Sequence, residues 1–553
     1  MAEGSWEVTQ SRGQAVALRV GDPGLVAAFV AVGALLLGFV LYPTLRVISY
    51  PALVDYLAVP HNARWIAAMR NSLMMMLLST GSATVVGFLY AYATTREDLP
   101  GRRVFQTLSL LPLFSPAFMV AFAYILMFGR QGLITKTLLG LDVNIFGWHG
   151  LWLVQTVAFF PYAALIIGQV LEAINPTLEH AARGLGADEW TLFRTVTVPL
   201  ARPGLAAAML LVAISVLADF GNAVVIAGNL PLLATEAWYR IEGLADLTGA
   251  AVVVSLLLLP TAGLFILERV WVSRRLYTAI TGRGSRLVRP ATPWYFRWPL
   301  VAFCTVVAVL ILLVYAAVLA GAFARTWGYN WTLTLDHWRL ALVQAGGQLV
   351  NSVKVGVASA LLTSIVALVA AFLTSRRRYR VERALDVLAV LPAAMPGVFI
   401  GIGFLLAFNQ PPLVLGGTAW ILILALTFWH IPFGYQAATA GLKQIDRSIE
   451  EAAADLGASG LRVLTDVYLP LLRGAFAASF VTAFIRAVTN LSIVVFLVTP
   501  RNLVATYSIL SMISGGFWGA AAALTTALLG VTFLAVASAR LAISRGLRGL
   551  PVG

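Results

Sequence analysis

Apolar residues along this chain gather into twelve long runs separated by short polar segments. The runs lie near 25–45, 73–94, 104–128, 150–171, 204–228 and 249–271, then near 299–323, 352–374, 385–408, 418–440, 474–498 and 517–541. A hydrocarbon core of about 30 Å is crossed by about 20 apolar residues in a helix. Inside a bilayer each segment must satisfy its own backbone, and the alternation of a barrel strand is absent from these runs. The expected fold is therefore all-α and membrane-embedded, with twelve transmembrane helices.

The last six runs repeat the first six. Asn71-Ser72 matches Asn351-Ser352, and Leu111-Pro112 with Pro116 matches Leu391-Pro392 with Pro396, at an offset of 280. Further on the offset is 271, pairing Glu179 with Glu450, Gly186 with Gly457 and Pro199 with Pro470. The nine-residue change falls in the loop after run 3 or run 9, where length is tolerated. A parallel repeat implies two homologous six-helix halves about a pseudo-twofold axis along the membrane normal. The expected segments are a cytoplasmic N-terminal stretch at 1–24, a first half at 25–271, a basic cytoplasmic linker at 272–298, a second half at 299–541 and a cytoplasmic tail at 542–553.

Composition agrees with burial in lipid. Hydrophobic residues make up 60% and charged residues 11%, against about 25% charged in a soluble domain. The net charge of +14 would suit nucleic acid, but the arginines crowd short loops on one side of the runs. They include Arg96, Arg102 and Arg103; Arg274, Arg275, Arg283, Arg286 and Arg289; Arg376, Arg377, Arg378, Arg380 and Arg383; and Arg540, Arg545 and Arg548. This asymmetry places that face and both termini in the cytoplasm and excludes a nucleic-acid role. Cys304 is the single cysteine, so there is no intrachain disulfide and no cysteine metal cluster. The first run lacks a cleavage site after it and reads as a retained helix.

The loops after runs 4 and 10 carry the most specific pattern. They read Glu179-His-Ala-Ala-Arg-Gly-Leu-Gly186 and Glu450-Glu-Ala-Ala-Ala-Asp-Leu-Gly457, each with a proline 13 residues after the glycine. Helical spacing puts Leu178, Ala181, Ala182 and Leu185 on one face, and Ile449, Ala452, Ala453 and Leu456 on another. The alanines permit close approach by a second surface. Gly186 and Gly457 suit a helix stop with positive φ, and Pro199 and Pro470 mark the return to the membrane. Glu179 and Glu450 are expected to be exposed and to contribute little singly.

This pattern resembles the EAA loop of bacterial ABC-type import permeases, and the resemblance covers both halves. It implies the type I importer permease fold. It also implies that Glu179, Ala181, Ala182, Leu185, Gly186, Glu450, Ala452, Ala453, Leu456 and Gly457 form coupling helices that dock on an ATP-binding subunit. His180 departs from the usual alanine or glutamate. The expected partners are two copies of that subunit and an extracytoplasmic substrate-binding protein, in the bacterial inner membrane. The three lysines, Lys136, Lys354 and Lys443, do not follow a glycine, so the chain lacks a P-loop. No cofactor is expected on this chain; ATP and magnesium belong to the partner.

Among polar residues at depth, Asp219, Asn222, Arg486 and Asn490 are candidates for the translocation pathway. Asp219 and Asn490 correspond in the repeat and are expected to face the interface between halves, beside one central route with a single negative charge. A structural hydrogen-bonding role is the competing reading. His430 reads as structural, and Pro161 and Pro432 as matched kinks. The Asp219-Phe220-Gly221 and Val494-Val495-Phe496-Leu497 segments look most like the ferric-iron import group, with thiamine and phosphonate importers as near relatives. A twelve-helix secondary transporter is the alternative class, but it gives the duplicated loops no role. A membrane enzyme would need a metal cluster or nucleophile constellation at depth.

Overall fold

The computed structural model describes residues 23–96, 98–272, 291–375 and 380–548. Most of the expected N-terminal segment, most of the basic linker with its arginines, Arg376 to Arg378 and the end of the tail lie outside the described residues.

Among the described residues, nine helices are long and apolar enough to cross a membrane unbroken. They are spans 1 (Pro23–Ser49), 2 (Ala63–Thr95), 4 (Trp148–Ala173), 5 (Glu189–Leu217), 6 (Leu247–Val270), 7 (Trp294–Gly321), 8 (Asp336–Thr374), 10 (Ala419–Leu442) and 12 (Trp518–Ala539). Three further crossings are bent helix pairs. Span 3 (Arg102–Phe114 with Met119–Leu138) turns by 105°, span 9 (Val381–Ala394 with Gly397–Phe408) by 112°, and span 11 (Gly460–Leu471 with Arg473–Val488) by 74°. Counting each pair once gives twelve.

The bends in spans 3 and 9 come from the repeated prolines. Pro112 and Pro392 open 3₁₀ turns, and Ser115 and Met395 then take extended backbone. Proline gives no N–H and disfavours helical backbone in the residue before it, here at Pro116 and Pro396. After the helix Met119–Phe128 of span 3 come 19 residues, including the short helix Leu133–Leu138, before Trp148, and after Phe408 of span 9 come 10 before Ala419. The nine-residue offset change is thereby located.

Spans 2 and 8 begin well before their apolar runs. Their 33 and 39 residues reach about 50 and 58 Å at 1.5 Å per residue, well past the hydrocarbon. Three features have no apolar run long enough to announce them: helices Leu233–Leu244 and Ala505–Ser514, and a hairpin of β1 (Ala324–Thr326) and β2 (Asn330–Leu333).

The halves interlock. Phe39 of span 1 packs on Phe404, Phe408 and Phe428 of spans 9 and 10, at ring distances of 6.4, 5.3 and 4.9 Å. Span 7 of the second half lies on spans 2 and 3 of the first, with the Tyr315 hydroxyl bonded to Ser115. Each half's first helix is thus packed against the other half, and one continuous apolar core joins them.

Candidate functional site

The two loops fold as matching elbows. In the first, Pro176–Gly184 forms a helix capped by Asn175, whose side chain accepts the Thr177 N–H at 3.0 Å. Proline at the first helical position suits a site with no N–H partner. The helix closes with Gly186 at φ +87° and Ala187 N–H donating to the Ala182 carbonyl at 3.0 Å. In the second, Arg447–Asp455 closes the same way, with Gly457 at φ +80° and Ala458 N–H on the Ala453 carbonyl at 3.0 Å. Short limbs Glu189–Leu192 and Gly460–Arg462 follow, capped by Asp188 and Ser459.

Each elbow presents apolar side chains outward. Leu185 and Leu456 are both 90% exposed, and Leu178, Ala181, Ile449 and Ala452 are exposed beside them. Ala182 and Ala453 turn half inward, so the outward faces are narrower than helical spacing alone suggested. Leu185 and Leu456 thus stand bare at matching places on the two elbows.

The glutamates depart from expectation: they are buried. Glu179 is 2% exposed and accepts from Arg96 Nη1 at 2.8 Å, with Arg96 itself 1% exposed. Arg96 Nη2 donates to the Tyr92 hydroxyl at 2.8 Å, and that hydroxyl donates to Glu189 at 3.2 Å. Arg183 closes the network on Glu189 at 2.6 Å. Burial opposes the charge on Arg96, but Tyr92, Glu179 and Glu189 outweigh it and hold its pKa above the ordinary arginine value. The cause of the departure is the inward turn of the helix face that carries Glu179 and Ala182. The first elbow is therefore bolted to the end of span 2 through ions shielded from water.

Glu450 is buried as well, accepting from the Tyr468 hydroxyl at 2.8 Å. Beside it, the Tyr435 hydroxyl donates to Asp386 at 2.6 Å, and Asp386 takes Arg269 at 2.9 Å. That last ion pair joins span 6 of the first half to span 9 of the second. Sequence reasoning did not single out Tyr92, Arg183, Glu189 or Tyr468, and used Arg96 only for orientation. A signal existed for Arg96: Arg376 stands at the repeat offset of 280.

The pathway candidates lie where helices break. Span 5 ends at Leu217 and resumes as Gly221–Ile226; span 11 ends at Val488 and resumes as Val494–Leu497. Asp219 accepts the Asn222 backbone N–H at 3.1 Å and Asn490 accepts that of Ile493 at 2.9 Å. Each thus receives the N–H three residues on, in the manner of an N-cap. Asp219 also takes the Asn222 amide at 3.2 Å and Gln155 of span 4 at 3.0 Å, and Gln155 takes Ser79 of span 2 at 2.8 Å. All these partners belong to the same half. Across the seam between halves, Phe220 and Phe496 meet at 6.1 Å. Arg486 stands apart, with its guanidinium 4.0 Å from the centre of the Phe433 ring. His430 is fully buried.

The chain matches the family described as "Binding-protein-dependent transport system inner membrane component" over residues 83–277 and 363–545. It is 31% identical to the ferric transport system permease protein FbpB of Actinobacillus pleuropneumoniae, over 91% of this chain and 76% of that protein. A Haemophilus influenzae protein provisionally named ferric transport system permease protein FbpB 1 is 30% identical over 88% of this chain and 79% of its own length. The molybdenum transport system permease protein ModB of Escherichia coli is 32% identical, but over only 26% of this chain.

Proposed function

This chain belongs to the binding-protein-dependent transport system inner membrane components, and from that premise we propose that it is the fused permease of an ATP-driven ferric-iron importer. The observation that carries the cargo is coverage. The ferric permeases match about nine-tenths of the chain, at 91% and 88%. The sulfate and molybdenum permeases match 35% and 26% of it.

The chain is not the ATPase of the system. ATP and magnesium sit on a separate subunit, and an extracytoplasmic binding protein delivers the cargo. Two elbows with the same outward leucine suit two copies of the ATP-binding subunit, one on each. The arginine asymmetry supports a cytoplasmic position for both elbows and both termini. Closure of the paired subunits would push the elbows together. The first transmits that push through one unbroken helix, Glu189–Leu217, to the break at Asp219; the second transmits it through the 74° bend of span 11. Both breaks flank the Phe220–Phe496 contact, so the movement arrives at the seam between halves.

The test is radioactive iron uptake into proteoliposomes holding the permease, its ATP-binding subunit and its binding protein. ATP-dependent uptake of ferric iron, unaffected by excess molybdate or phosphonate, is expected. Uptake of either oxyanion in place of iron would refute the cargo.

A further inference from the structure

On the face away from the elbows, a cavity of about 560 Å³ opens where spans 3, 7, 8 and 12 end. Its walls are mainly apolar, from Ile125 and Leu126 of span 3, Trp327 of the hairpin, Leu340 of span 8 and Trp518 of span 12. Arg130 and Arg325 also line it, and both are exposed. Neither arginine pairs with an acid among the described residues.

The cavity is built into the joint between halves. Trp327 Nε1 of the second half donates to the Leu126 carbonyl of the first at 2.7 Å, and Trp518 stacks on Phe122 at 6.1 Å. Gly328, at φ +75°, lies so close that a Cβ there would meet the Gln131 carbonyl at 2.4 Å. His337 is already engaged with the Ala324 carbonyl at 3.0 Å. The walls thus offer few spare polar partners. A sugar or a peptide placed inside would leave its own polar groups desolvated and unmatched.

We propose that this cavity holds an acyl chain of an anionic phospholipid from the adjacent leaflet, with Arg130 and Arg325 on its phosphate. The combination of an apolar box, two unpaired guanidiniums and tryptophans at the end of the spans fits that one ligand class. Tryptophan concentrates at headgroup depth, and basic pockets between membrane helices take acidic headgroups. The lipid would fill the joint between span 3 of one half and spans 7 and 12 of the other.

The experiment uses the purified full chain with phosphatidylglycerol and phosphatidylcholine of identical acyl chains, counting retained lipid by native mass spectrometry. The parent should retain phosphatidylglycerol in preference by roughly thirtyfold, given about 1 kcal/mol for each of the two basic residues near an acidic lipid. Arg130→Gln with Arg325→Gln should bring the two lipids close to parity while some lipid is still held. Leu340→Trp, which fills the cavity without changing charge, should lower retention of both. Equal retention by the parent overturns the proposal, as does an undiminished preference in the arginine variant or unchanged retention in Leu340→Trp. Loss of binding-protein capture in the arginine variant, with lipid retention unchanged, would overturn it in favour of a protein-docking surface.

Discussion

Arg96 sets the strength of the first elbow because it is the cation held between two buried carboxylates. Breaking a buried pair by removing one partner costs about 3–5 kcal/mol. Arg96→Ala leaves Glu179 without its 2.8 Å partner and Glu189 with Arg183 as its one ion-pair partner among the described residues, beside the Tyr92 hydroxyl. Its thermal unfolding in detergent should move well below that of the parent, and it should bind the ATP-binding subunit poorly. Lysine is no substitute, since one ammonium cannot reproduce the fork that reaches both Glu179 and Tyr92. An Arg96→Ala protein that unfolds at the parental temperature would remove the network from the account. Asp219 offers a contrasting case. Asparagine caps as well as aspartate, and Asn490 does so at the matching break. Asp219→Asn should keep the cap but set its own amide N–H against that of Gln155, losing about 1 kcal/mol, and Asp219→Leu should lose more, with the cap as well. Equal stability of the two variants would show that the break does not depend on the cap.

At the scale of elements, the elbow glycines act through backbone rather than space. A Cβ at Gly186 or Gly457 meets nothing within 4 Å, yet φ is +87° and +80°. A left-handed residue costs about 1–2 kcal/mol for most side chains and less for asparagine or aspartate. Gly186→Val and Gly457→Val should uncouple transport from ATP hydrolysis, and the asparagine variants should stay near parental uptake; equal uptake by all four variants would contradict this. These stops were legible in sequence because a glycine after an apolar helical face has one common use. Twelve crossings were legible because lipid burial demands long apolar runs. The bends in spans 3 and 9 were half legible: the prolines repeat, but a continuous apolar run conceals a turn of 105° or 112°. The breaks at Asp219 and Asn490 were missed for the same reason, since apolar residues continue on both sides. The burial of Glu179 could not be read at all, because its partner lies 83 positions away in the chain.

Across the whole molecule, the halves behave as one body with two handles. Spans 1 and 7 each pack on the opposite half, and the Arg269–Asp386 pair at 2.9 Å links the halves near the elbows. Force applied at either handle is therefore shared through a common core rather than confined to one six-helix bundle. That Leu185 and Leu456 are the two equivalent contacts for two ATP-binding subunits is what we propose. It is tested most directly by measuring how many copies of that subunit copurify with Leu185→Asp, Leu456→Asp and the double variant. The substituted side chains are exposed, so the permease itself should stay folded. Two copies are expected with the parent, fewer with each single variant and almost none with the double. Two copies retained by the double variant would contradict the account.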